Sequence, residues 1–241
     1  TEPLYNKYLQ FSPYCYGLLN PMKLVDADGN EVYIHGSQAE DILNYLQKQM
    51  PYLNLNLDNG KLIYSGNGMN EREQKLIEAI NSDIKVNLFS SDENYYFDEN
   101  NKMRSIIIGA YGGSSYDKYG ILNANQYINL NHAKTSNEVG GWTESEIVLH
   151  EILEAYIGAT NYPNKFYDYE IFDKVHNMTN ELSPKQKDKL ISITGSDNNG
   201  KTFKGIQGPK GAYWLYYIKD KKYVNYNRKL SYSEFEQIPK K

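Results

Sequence analysis

Apolar positions along the chain recur with helical spacing in some stretches and alternate in others, and these two periods divide the sequence into elements. In Ser37 to Met50, Ile42, Leu43, Leu46 and Met50 share one face of a helix that Ser37 can cap and Pro51 ends. Leu53, Leu55 and Leu57 alternate with asparagines, Asp58-Asn59-Gly60 turns the chain, and Lys61 to Ser65 returns as the second arm of a β-hairpin. Asn70 to Asn81 predicts a second amphipathic helix, with Leu76, Ile77 and Ile80 facing inward. Lys85 to Phe89 alternates as a strand. Arg104 to Gly109, carrying Ile106-Ile107-Ile108, predicts a more fully buried one, and Gln126 to Leu130 another that leads to His132. Gly112-Gly113 and Gly140-Gly141 read as flexible joints around the strand before the next helix.

That helix, Thr143 to Gly158, is the strongest signal in the chain. Thr143 and Glu146 form a capping box, and Gly158 reads as the stop. The stretch is mostly apolar, yet it contains His150, Glu151 and Glu154. A second helix, Tyr167 to Asn180, carries His176. Ser183-Pro184 opens a third, to about Ile193, and Asp197 to Gly200 is a turn. The aromatic stretches Tyr213 to Ile218 and Tyr223 to Asn227, joined at Asp220-Lys221-Lys222, predict a C-terminal β-hairpin. The pattern gives an α+β fold: a small, twisted, mainly antiparallel sheet packed on helices, and the helix carrying His150, Glu151 and Glu154 resembles a zincin-like active-site helix.

Spacing turns the polar insertions into candidate chemistry. His150 and Glu154 are four residues apart on a helix, so their Cβ atoms stand roughly 5–6 Å apart, within reach of one metal ion. Zinc-hydrolase helices usually read H-E-x-x-H, with two histidine ligands and the glutamate as general base; this one reads H-E-x-x-E. His176 follows with 21 residues between it and Glu154, and it restores a set of two histidines and one carboxylate with one pair of positions exchanged. Carboxylate oxygen and imidazole nitrogen bind zinc at similar distances, about 2.0–2.2 Å. The expected centre is Zn2+ held by His150, Glu154 and His176, with Glu151 as the catalytic base. Asp173, one turn before His176, is a candidate to orient that imidazole, and His132 a candidate fourth ligand or transition-state donor. His35 reads as structural. A non-catalytic module and a metal-dependent nuclease are the alternatives.

Composition narrows this further. The net charge of -4 and pI of about 5.6 argue against a broad basic face for nucleic acid. The single cysteine, Cys15, excludes an intrachain disulfide and a thiolate zinc site. No apolar run approaches the ~20 residues of a membrane span. Tyrosine is abundant, at 24 residues against 7 Phe, which suits half-buried strand positions.

Residues 1–31 have no helical period, and Pro13, Pro21 and Asp28-Gly29 mark turns between short extended pieces. The run Glu2-Pro3-Leu4, Ser12-Pro13-Tyr14-x-Tyr16, Asn20-Pro21 and Asp26-Ala27-Asp28-Gly29 resembles the C-terminal edge of the Rhs repeat-associated core. Ala27 stands where that family has proline, and Leu19 where it has asparagine. The resemblance implies a β-cocoon upstream that encloses a variable C-terminal toxin, released in some members by cleavage near aspartates that Asp26 and Asp28 match. It implies residues 1–35 as the end of the core and 36–241 as an effector. It further implies a cognate immunity protein, and secretion or surface display followed by delivery to a target cell. The later region is similar to toxin modules with an H-E-x-x-E-x-Y helix and a following H-N element, matched by Glu154-Ala155-Tyr156 and His176-Asn177. That implies a metallopeptidase-like effector acting on protein or peptide.

Overall fold

The structure is a computed structural model that describes residues 31–166, 168–182, 191–196, 202–219 and 222–230. The Rhs-like run, Cys15, Asp26, Asp28, Ser183-Pro184 and the turn at 197–200 lie outside the described residues.

The main sheet has six strands: β1 (Val32–His35), β2 (Leu53–Asp58), β3 (Lys61–Gly66), β4 (Ile84–Ser90), β7 (Gly109–Tyr116) and β8 (Leu122–Ile128). Their order is β2-β3-β1-β4-β8-β7. The pairs β1–β4 and β4–β8 are parallel, and the other pairs are antiparallel. β5 (Tyr95–Phe97) and β6 (Met103–Ser105) form a separate antiparallel hairpin. The chain is therefore α+β with a mainly antiparallel, mixed sheet, as the sequence implies. Val32 and Ile34, Val86 and Leu88, and Leu122, Ala124 and Ile128 alternate into the core. The hairpin between β2 and β3 turns on Asn59 and Gly60, both at positive φ, the backbone that an Asn-Gly pair adopts most readily.

Three helices match the apolar periods. α1 (Ala39–Gln49) buries Ile42 and Leu46, and α2 (Glu71–Ile80) buries Leu76 and Ile80 under an Asn70 cap. α1 is preceded by Gln38 without a side-chain cap bond, so Ser37 does not cap it. α4 (Glu144–Asn161) has the capping box of Thr143 and Glu146, and it lies across β4, β8 and β7. Among the described residues no helix is long and apolar enough to cross a membrane.

Several expectations are corrected. α4 runs on past Gly158 to Asn161, and Gly158 is a packing position, because a Cβ there would meet the Tyr111 ring at 2.6 Å. Ile106-Ile107-Ile108 is not a strand: β6 ends at Ser105, and the isoleucines form a link, buried at Ile106 and Ile108 and half-buried at Ile107, in which Ile108 takes φ +70. The strand of that region is β7, which contains Gly112 and Gly113, read from sequence as a joint. β8 ends at Ile128, and Leu130 begins α3 (Leu130–Glu138), a helix with little apolar period. β1 is interior to the sheet, between β3 and β4. Ile191 to Ile193 lie in a strand, β9 (Ile191–Ser196), and not at the end of a helix. β9 joins β10 (Thr202–Gly208), β11 (Gly211–Lys219) and β12 (Lys222–Leu230) in an antiparallel sheet whose last two strands are the expected hairpin.

Candidate metal centre

α4 is apolar nearly all round, and Ile147 to Ala159 are buried without interruption. A helix of that kind is interior, so His150, Glu151 and Glu154 are carried inside with it. Polar groups so placed need partners, because an unpaired buried carboxylate is strongly disfavoured. α5 (Tyr169–Glu181), capped by Asp168, packs against α4 and supplies the first partner, His176.

His150 Nε2 lies 3.2 Å from His176 Nδ1, His176 Nδ1 lies 2.9 Å from Glu154 Oε1, and His150 Nε2 lies 3.8 Å from Glu154 Oε1. Four ligands set tetrahedrally around zinc at about 2.05 Å stand roughly 3.3–3.4 Å from one another, and the three distances scatter around that edge. With protons alone, one N–H on His176 Nδ1 has to be shared between Glu154 Oε1 and the lone pair of His150 Nε2, and with the other tautomer Glu154 faces a lone pair. A cation at the centre satisfies all three. These residues form the one such group of His, Cys, Asp and Glu among the described residues, and it could hold a metal ion.

The electrostatics suit that role. Burial lowers the pKa of His150, which keeps its imidazole neutral. Burial works against the charge of Glu154, but the two histidines outweigh it and bring the carboxyl down to about 2. Burial also opposes charge on His176, yet the contact with Glu154, its charge and that of Asp173 raise the imidazole above its usual value. The His176 side chain is 40% exposed, against 2% for Glu154, so the centre reaches solvent on the α5 side. Phe172 stacks on His176, and Trp142 meets the His150 ring edge-on.

Glu151 is outside the triangle but neighbours it, since the Gln126 amide nitrogen touches both Glu151 Oε2 and Glu154 Oε2. Its carboxylate lies against Gly109 at the start of the edge strand β7, and all three carboxylate atoms occupy the space a Cβ at Gly109 would need. Burial and the charge of Glu154 raise its pKa well above the carboxylate range, with Gln126 offsetting part of the rise. Gly109→Ala is expected to displace this carboxylate and destabilise the fold by about 1–3 kcal/mol through overpacking, read by denaturant unfolding.

The structure separates the remaining candidates. Asp173 is exposed and acts on His176 through its charge. His132 is outside the group. It is buried in α3, where burial holds its pKa down to about 4 and its Nδ1 accepts from the N–H of Ile108 at 3.4 Å. The carbonyl of Ile108 in turn accepts from the N–H of Asn129 at 2.8 Å. His132 therefore helps pin a β-branched residue at positive φ, a costly conformation that needs such support. His35 binds Asn87 at 3.1 Å, within the sheet. The residue the sequence reading missed is Gln126, fully buried on β8, which donates from Nε2 to Glu151 Oε2 and to Glu154 Oε2, the latter at 2.8 Å. Its signal was the break in the alternation of Leu122, Ala124 and Ile128, where a polar residue takes an inward position.

Comparison of the chain with protein-family models, with curated proteins and with solved structures gives no match.

Proposed function

We propose that the protein is a zinc-dependent hydrolase of the peptidase class, in which His150, Glu154 and His176 hold the ion and Glu151 moves the proton. The observation that carries this reading is the triangle of donor atoms at 2.9, 3.2 and 3.8 Å, formed by two neutral-capable imidazoles and one ionised carboxylate. Two histidines and a carboxylate are a common catalytic zinc set, and they leave a further position open. The exposure of His176 puts that position within reach of solvent. When bound, zinc supplies Lewis acidity for the attack of water on a carbonyl. Glu151, next in sequence to a ligand, takes a proton from the attacking water and returns it to the leaving nitrogen. Gly109, at the edge strand, leaves the space in which its carboxylate sits.

The Rhs-like run at 2–29 supports a biological setting for this chemistry: an effector at the C-terminal end of an Rhs-type protein, exported with its core, delivered to a target cell and neutralised by an immunity protein. A metal-free, non-catalytic module is the second reading, favoured by the direct 2.9 Å contact of His176 with Glu154. Elemental analysis of purified protein, with anomalous scattering at the zinc edge, separates the two. One equivalent of zinc is expected, and its absence after incubation with excess zinc rejects the first reading. Digestion of a peptide library and of nucleic acid then distinguishes peptidase from nuclease, with cleavage expected only of peptide.

A further inference from the structure

The fully buried amide of Gln126 touches both carboxylates of α4. A glutamine –NH2 has two hydrogens, and here one meets Glu151 Oε2 and the other Glu154 Oε2. The reverse orientation would set a carbonyl oxygen against the ionised Glu154 carboxylate, and that repulsion favours the rotamer as it stands. Gln126 Oε1 has no partner among the described residues. A buried amide that leaves its acceptor unmatched in order to donate twice is held by the carboxylates it serves.

The consequence falls on Glu154. Its Oε2 is engaged by Gln126, while Oε1 faces His150 and His176. A carboxylate so divided offers a metal one oxygen and not two. We infer that Gln126 is a positioning residue: it holds Glu154 as a one-oxygen ligand and ties that ligand to Glu151, so that the base and the metal centre share one anchor on β8. The inference rests on the metal-binding reading of the triangle and adds to it how coordination at that centre is set. With the donor removed, Glu154 is free to rotate and bring its second oxygen towards the ion, and Glu151 loses its tie to the site.

The test compares zinc binding by the full chain and by Gln126→Met, which has nearly the same length and no donor. Affinity is read by competition with a chromophoric chelator, and coordination by zinc-edge X-ray absorption. Loss of an outer-shell hydrogen bond typically weakens metal binding about 10–100-fold. That loss is expected here, together with a rise in the number of oxygen and nitrogen neighbours as Glu154 becomes bidentate. Gln126→Met could fold poorly, since it leaves two carboxylates without their donor. The same comparison is therefore made between Glu151→Gln and Glu151→Gln/Gln126→Met, where only one carboxylate loses a partner. Zinc binding of unchanged affinity and unchanged coordination in either folded comparison overturns the inference while leaving the metal centre in place. If the wild-type chain binds no zinc, the metal reading and this inference fall together.

Discussion

Glu154→Ala is expected to weaken zinc binding by roughly 10²–10³-fold. Structural zinc sites bind with about 10–16 kcal/mol over four ligands, so one ligand contributes on the order of 3–4 kcal/mol, and each 1.4 kcal/mol is about tenfold in affinity. His150→Ala should lose a similar amount, because His150 Nε2 and Glu154 Oε1 are two corners of the same triangle. Glu154→Gln is the control for folding: it retains the shape and an acceptor for Gln126, but it removes the charge. Metal content and chelator competition give the measurement, and undiminished zinc in both truncations would falsify the ligand assignment.

The same centre predicts opposite pH behaviour for the two forms of the protein. The pKa of His176 is raised in the fold. In the metal-free chain its charged pairing with Glu154 therefore adds stability that is complete below the unfolded value of about 6.5 and is lost as pH rises through the folded value. Zinc displaces that proton, so affinity is complete above the folded value and falls about tenfold per pH unit below it. Unfolding followed against pH, with and without zinc, should show two curves that merge at low pH and separate as pH rises.

The helices that build this centre were legible because their signals are local. The Thr143–Glu146 box starts α4 as read, and the spacing of His150 and Glu154 survives intact. His176 is the residue that completes a two-histidine, one-carboxylate ligand set, and α5 brings it to 2.9 Å from Glu154. The surroundings were harder to read because they depend on partners remote in sequence. β7 holds three glycines and two serines, and only Tyr111 and Tyr116 favour a strand. It forms where other groups approach closely, with Glu151 against Gly109 and the backbone of Lys165 and Phe166 against Gly113. Ile106 to Ile108 have the composition of a strand, yet Ile108 turns to φ +70 between hydrogen bonds from Asn129 and to His132. Gly158 resembles a helix stop until Tyr111, 47 positions earlier, is seen to need its space. Gln126 sits in an otherwise ordinary alternation, and its meaning depends on two glutamates far along the chain.

Glu151→Gln should keep zinc within a few-fold of wild type and lose about 10²–10⁴ in hydrolytic rate, the usual contribution of a positioned general base. The substitution conserves volume in the space beside Gly109, and its amide oxygen can still accept from Gln126. What it cannot do is take a proton. In the metal-free chain two causes hold the Glu151 pKa high, burial and the neighbouring charge of Glu154. A divalent ion on Glu154 cancels the second, which brings the group down towards a range where it can act as base near neutral pH. The rate should therefore rise with pH through a single inflection that the ion sets below the metal-free value. In Glu151→Gln that inflection should vanish from the residual rate. A variant that retains wild-type turnover removes Glu151 from the chemistry, and one that loses its zinc makes Glu151 a ligand in place of a base. The first result would leave Gln126 only its hold on the ligand Glu154, and the second would make it the anchor of two ligands.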